Sequence, residues 1–254
     1  MSLRKSATEV RQLRRAGAIV GDALRLLRQL AVPGARLSEL DAAVAKLIRA
    51  RGAQPTFRGY QGFPASICAS VNEEAVHGLP DGRRLREGDL VSFDVGATFD
   101  GWVGDSAISV CVGGGSAADR ALVAAACDAL HAAIAAARVG AALGDLGAAV
   151  EAVVRPRGYG IVESYCGHGI GCALHEDPVV PNVGTPGQGP RIEDGWCLAI
   201  EPVITAGSGA VALRPDGWTV ATLDGGRAAH VELAVAITAA GVEILTLTSD
   251  GELP

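Results

Sequence analysis

Aromatic rings are scarce in this sequence: four Phe, three Trp and three Tyr occur among 254 residues. The core must therefore come mostly from Ala, Val, Leu and Ile, and each ring that does occur marks a surface worth locating. Excess positive charge is missing too. With 22 Lys and Arg against 28 Asp and Glu, a net charge of -6 and a pI near 5.4, the chain lacks the basic face a nucleic-acid binder uses to displace counterions. No apolar run approaches the roughly 20 residues of a membrane span, and the N-terminus carries no signal-peptide cleavage pattern. A cytoplasmic protein without a membrane partner is expected. The six cysteines (Cys68, Cys111, Cys127, Cys166, Cys172 and Cys197) include no Cys-x-x-Cys pair, which points to reduced, mostly buried thiols.

A hydrophobic content of 49% and a mean hydropathy of +0.28 are enough for a large core, in one domain or two fused halves. Val10, Leu13, Gly17, Val20, Leu24 and Leu27 recur at helical steps, predicting a helix from Thr8, its cap, to Leu30 before Pro33-Gly34. A second helix is predicted from Ser38 to near Gly52. Two strands, Leu90 to Val95 and Val103 to Val112, are joined through Phe99-Asp100-Gly101, whose Asp-Gly is a hairpin signal. Ser116 caps a long alanine-rich helix to about Ala137, Leu143 to Arg157 reads as another, and short strands follow from Ile161.

The segment from Gly34 to Gly52 reappears from Gly140 to Gly158 at a constant offset of 106 residues, with Gly, Ala, Leu, Val and Arg positions coinciding. The period is too long for a solenoid. It implies two halves, about 8–113 and 116–248, each a helix pair followed by strands and facing the other across a cleft.

Chemistry concentrates from Cys166 to Pro178, where His168 and His175 stand among glycines that let the backbone approach a ligand. Four carboxylates lie inside apolar, strand-like runs: Asp94, Asp105, Glu201 and Glu232. Asp94 and Asp105 fall on one face of the hairpin, while Asp100 belongs to its turn. Unpaired carboxylates are costly to bury, but a divalent cation outweighs their mutual repulsion. With His168 they suit a pair of borderline metals such as Mn, Fe, Co or Zn, which can activate water and polarise a carbonyl. A rival structural zinc site from Cys166, His168, Cys172 and His175 has unfamiliar spacing and leaves the carboxylates unexplained. His77 sits in a loop between strands, His131 has no assigned role, and Trp218 either walls a pocket or packs at its rim.

These residues fall in motifs that resemble the type I methionine aminopeptidases over almost the whole chain. The motifs are Ser70-Val-Asn-Glu-Glu-Ala-Val-His-Gly-Leu-Pro80, Gly88-Asp-Leu-Val-Ser-Phe-Asp94, Asp100-Gly-Trp-Val-Gly-Asp105, Tyr165-Cys-Gly-His-Gly-Ile-Gly171, His175-Glu-Asp-Pro178 and Ile200-Glu-Pro202. The resemblance implies the α+β pita-bread fold, with two pseudo-symmetric helix pairs covering a curved antiparallel sheet. It implies that Asp94 binds one metal, His168 and Glu201 the other, and that Asp105 and Glu232 bridge them. It further implies that His77 and His175 contact the scissile peptide, that Glu201 helps shuttle a proton, and that Tyr60, Phe63, Cys68, Leu174 and Trp218 line a methionine pocket.

The sequence departs from that pattern at Phe57 (often cysteine), Phe63 (usually tyrosine) and Leu174 (commonly aromatic). His230 and Leu233 also depart, standing where glutamine and histidine are usual beside the last ligand. The expected activity is hydrolysis after the initiator methionine of nascent proteins by a single catalytic domain spanning 1–254, without an N-terminal extension domain. A proline-specific aminopeptidase or dipeptidase, or a binding module that has lost catalysis, are the alternatives on the same fold. Arg4, Lys5, Arg11, Arg14 and Arg15 make the start of the chain basic; a solvated helix face accounts for them, and an acidic partner such as the ribosome surface is a second reading.

Overall fold

In the computed structural model, which describes residues 3–254, the first turn of helix α1 (Ala7–Leu30) is fixed by Ser6 rather than Thr8. The Ser6 hydroxyl accepts from the Glu9 amide while the Glu9 carboxylate accepts from the Ser6 amide, a reciprocal capping box. Thr8 instead accepts from Arg11 on the helix surface. The other helices are α2 (Leu37–Ala50), α3 (Ala117–Ala136) and α4 (Leu143–Val154). Ser116 caps α3 through a second capping box with Asp119. Helix α4 stops before the predicted Arg157: Pro156 lacks the amide needed to continue it, and Arg155–Arg157 tightens into a 3-10 turn.

The strands are β1 (Gln54–Pro55), β2 (Ile67–Val71), β3 (Glu74–Val76), β4 (Leu90–Phe99), β5 (Trp102–Cys111), β6 (Gly160–Ile161), β7 (Gly167–Gly169) and β8 (Glu176–Val180). They continue with β9 (Trp196–Ile200), β10 (Val203–Thr205), β11 (Val211–Leu213), β12 (Val220–Thr222), β13 (Ala228–His230), β14 (Glu232–Thr238) and β15 (Gly241–Ile244). The main sheet runs β1-β4-β5-β14-β9-β7-β8, with β2 on β4 and β15 on β14, all antiparallel. Two three-stranded sheets, β13-β10-β6 and β11-β12-β3, flank it. The architecture is the expected α+β one.

Side-chain alternation divides the main sheet into two chemically different faces. On β14, Leu233, Val235 and Ile237 point to the core beneath α3 and α4, packing with Leu122, Leu130, Leu146 and Val150. On β4, Val91, Phe93 and Val95 join Leu24, Leu27, Val44 and Ile48 beneath α1 and α2. The intervening residues, including Asp94 and Glu232, face the other way. Helix α1 approaches β5 so closely that a Cβ on Gly104 would lie 2.7 Å from the Ala16 carbonyl carbon and the Gly17 nitrogen.

The two copies of the repeated segment make the same contacts. Gly34 donates to the Leu85 carbonyl and Leu37 to that of Arg83, while Gly140 donates to Ile192 and Leu143 to Pro190. Arg84 returns a bond to the Gly34 carbonyl at 2.6 Å, and Arg191 to that of Gly140 at 2.8 Å.

Candidate active site

Strand register places the carboxylates before any side-chain contact is considered. Asp94 lies opposite Ala107, and Ala107 lies opposite Glu232, so one row crosses β4, β5 and β14. Asp105 lies opposite Gly96, two residues from Asp94 and therefore on the same face. The β4–β5 hairpin is longer than predicted, reaching Phe99, and turns at Asp100 and Gly101, both with positive φ. Asp100 has no place in the cluster; its carboxylate accepts from Arg15 at 3.2 Å. Glu201 follows β9, and His168 occupies β7 beside it.

All twelve residues expected at the site line one cavity: Tyr60, Phe63, Cys68, His77, Asp94, Asp105, His168, Leu174, His175, Glu201, Trp218 and Glu232. Phe57, Gln61 and His230 complete the lining. The His168 Nε2 is 3.7 Å from Asp105 and 3.5 Å from Glu201. Its Nδ1 lies 2.9 Å from the Gly169 carbonyl, an acceptor only, so Nδ1 carries the proton and Nε2 presents a lone pair to the carboxylates.

Burial pushes the Asp94 carboxyl up to about 7, against the pull of His230. Asp105 and Glu232 are raised well above the usual carboxylate range, first by burial and then by the neighbouring carboxylates. Asp94 Oδ1, Asp105 Oδ1, Glu232 Oε1 and His230 Nε2 are buried with no hydrogen-bond partner. Buried polar atoms almost always have partners, and four orphans converging on one cavity fit a site for cations. Two three-donor groups have their ligand atoms within 4.8 Å of one another: Asp105, His168 and Glu232, and Glu201, His230 and Glu232. Neither contains a cysteine, which removes the rival zinc site among the described residues.

Around these donors the scarce rings form a wall. Phe63 meets Trp218 edge-on at 5.1 Å and Phe57 at 6.5 Å. Phe57 lies over Gly96, where a Cβ would come 2.6 Å from its ring, so the ring depends on the missing side chain below it. Trp218 is thus a pocket wall, held by Asp216, which accepts from the Trp218 and Thr219 amides. Cys68 and Leu174 are buried in the same cluster.

The two remaining imidazoles stand over the carboxylates. His175 shares a 2.8 Å hydrogen bond between its Nδ1 and the Tyr60 hydroxyl, and its ring meets that of His168 at 4.4 Å. Burial, then His168, lowers it to about 4. His77 is also lowered, by burial and then by His230. It adopts a left-handed φ of 57° just after β3. Buried Glu74 on that strand holds Arg83 and Arg214, each at 2.8 Å. Since Arg214 precedes the turn to Trp218, this clamp ties the His77 loop to the aromatic wall.

A family model described as Metallopeptidase family M24 matches residues 11–239. The chain belongs to metallopeptidase family M24. Its M24 relatives include methionine aminopeptidase 1 of Mycobacterium tuberculosis, 48% identical over 250 residues and covering 96% of this chain and 94% of that protein. Methionine aminopeptidase 1 of Bacillus subtilis is 42% identical, covering 97% and 99%. The crystal structure of methionine aminopeptidase from Thermotoga maritima superposes with a TM-score of 0.94 at 40% identity, covering 96% of this chain and 98% of that one. A Pyrococcus furiosus prolidase shares the fold, with a TM-score of 0.80 at 23% identity, and covers 97% and 66%. The M24 assignment agrees with the pita-bread expectation and makes the chain a metallopeptidase with carboxylate and histidine groups compatible with metal binding.

Sequence reasoning marked His230 only as a departure and passed over Gln61. His230 reaches the donors because β13 pairs with β10, placing it opposite Val203, two residues beyond Glu201. That pairing has no local signature in the sequence.

Proposed function

We propose that this chain is a metal-dependent methionine aminopeptidase that hydrolyses the peptide bond after the N-terminal methionine of peptides and nascent proteins. The observation that carries the reading is the junction, in one cavity, of orphaned buried carboxylates with a ring-lined apolar pocket. In this reading Asp94, Asp105, His168, Glu201 and Glu232 would hold two divalent cations. Bound there, such ions (Mn, Fe, Co or Zn) supply Lewis acidity that activates a water and polarises the scissile carbonyl.

The remaining work falls to the chain's own groups. Glu201 takes the proton of the attacking water and passes it toward the leaving amine. In the tautomer this reading requires, the Tyr60 hydroxyl donates to His175 Nδ1 and the imidazole proton sits on Nε2, free for the scissile peptide. His77 acts beside it. Their lowered pKa values keep both imidazoles neutral, so they stabilise the developing oxyanion as hydrogen-bond donors and keep their protons. Phe63, Trp218, Tyr60, Cys68 and Leu174 bind the methionine side chain and exclude water from the reacting bond.

The chain acts as one catalytic unit of two halves, about 8–113 and 116–248, in the cytoplasm. Among the described residues no helix is long and apolar enough to cross a membrane. An anionic ribosome surface would compete for basic residues that are already engaged: buried Lys5 with half-buried Glu176 at 2.6 Å, Arg14 with Glu243 and Arg15 with Asp100. The reading therefore rests on the peptide substrate.

The test is incubation with Mn or Co and a Met-Ala-Ser peptide beside an Ala-Pro peptide. Release of methionine supports the proposal. Cleavage of Ala-Pro alone would favour the proline-specific alternative, and no turnover with any metal would favour a binding module.

A further inference from the structure

We propose that His230 is a sixth donor to the metal centre, ligating through Nε2 together with Glu201 and Glu232. The inference builds on the proposed cation site and adds a residue to its donor set. Glu201 lies between two imidazoles: His168 Nε2 is 3.5 Å from its Oε1, and His230 Nε2 is 3.6 Å from its Oε2. The His230 Nε2 is also 4.0 Å from Glu232 Oε2. These separations are too long for hydrogen bonds but suit atoms around a common ion, because donors each about 2.0–2.2 Å from a cation lie roughly 3–4 Å from one another.

His230 is 3% exposed, and its Nε2 has no hydrogen-bond partner. A buried imidazole in this condition, pointing into carboxylates, lacks the partner its chemistry requires. Its backbone is firmly placed for the task. The His230 amide donates to Ser92 and Ser109 at 3.2 and 3.1 Å, and the Ser109 hydroxyl donates to the His230 carbonyl at 2.9 Å. His230 and Glu232 are also two residues apart across Val231, the spacing that lets extended chain present both to one side.

A neutral imidazole adds a nitrogen donor without adding charge, so two dications still balance the four carboxylates. The addition biases the centre toward Co, Fe or Zn and away from Mn, since imidazole suits the former and an all-oxygen set the latter.

Two readouts independent of turnover test this. In the Co(II)-loaded protein, each ligating histidine contributes a solvent-exchangeable, strongly shifted imidazole N–H proton signal. The wild type should show two, from His168 and His230, and His230→Gln should show one. Calorimetric titration should find Co binding weakened more than about tenfold in His230→Gln, beyond the low end expected for loss of an outer partner, with Mn binding changed less. The retained His168 signal confirms that the variant folds. One signal in the wild type, unchanged in His230→Gln, would overturn the assignment of His230 while leaving the cation site intact. No shifted signal in either protein would overturn both.

Discussion

Replacing Asp105 with asparagine should make the metal-free protein more stable and the metal-loaded protein less so. Donor atoms of Asp105 and Glu232 lie within 4.8 Å, where two unit charges in a medium of effective dielectric 20 repel by about 3–4 kcal/mol. Part of this is already relieved by proton uptake, as the raised pKa values of Asp105 and Glu232 indicate. About 1–2 kcal/mol should remain near pH 8, which in a chain of this size raises Tm by roughly 3–6 °C. Cation at a hundred times Kd stabilises the wild type by about 2.7 kcal/mol, or roughly 5–10 °C. Without the Asp105 charge, Asp105→Asn should gain less than about a third of that. Differential scanning calorimetry in EDTA and in Mn gives all four values. An EDTA Tm well below the wild type, or an undiminished rise with Mn, would refute the reasoning that these carboxylates are held together against their repulsion for a cation.

Three other perturbations probe different parts of the account. The Asp94 carboxyl rises from its ordinary 3.8 to about 7 on folding. The folded state therefore holds the proton more tightly, and the stability this contributes is lost as pH climbs from about 4 through 7. The Tm difference between metal-free wild type and Asp94→Asn should widen over that range in favour of the variant; a pH-independent difference would contradict the raised value. Leu174→Phe adds a ring to a wall that already contains Phe57, so kcat/KM for a methionine peptide should fall about tenfold, an overpacking effect of about 1–2 kcal/mol. Phe57→Ala in the same chain should recover part of it, and strict additivity would show that the two positions do not share the pocket. Gly104→Ala drives a methyl group into the α1 backbone and should lower Tm by roughly 3–10 °C in thermal melts.

The elements readable from sequence were those with local causes. The α3 cap at Ser116 and the Asp100-Gly101 turn follow from residues within a few positions of each other. Thr8 is the weaker cap signal because Ser6 has Glu9 three residues on to reciprocate, and α4 stops short of the predicted Arg157 because the apolar positions end at Val154 and Pro156 lacks an amide. Strand β4 runs beyond Val95 because Gly96 remains in the ladder opposite Asp105, although a glycine in such a run reads as its end. The four carboxylates are legible as charges in apolar segments, whereas the pocket residues and the roles of His77 and His175 rest on the family resemblance. The place of His230 is not legible, because its meeting with Glu201 depends on the β10–β13 register and on two serines more than a hundred residues away.

The central claim, that two cations held by these carboxylates drive methionine release, is tested most directly by reconstitution. Protein stripped with EDTA is titrated with Mn or Co under Met-Ala-Ser, following free methionine against equivalents of bound metal. The account predicts no release from the stripped protein, recovery that saturates as the site takes up no more than two equivalents, and none from Asp105→Asn. Methionine release that persists after stripping, or that Asp105→Asn supports at the wild-type rate, would contradict it.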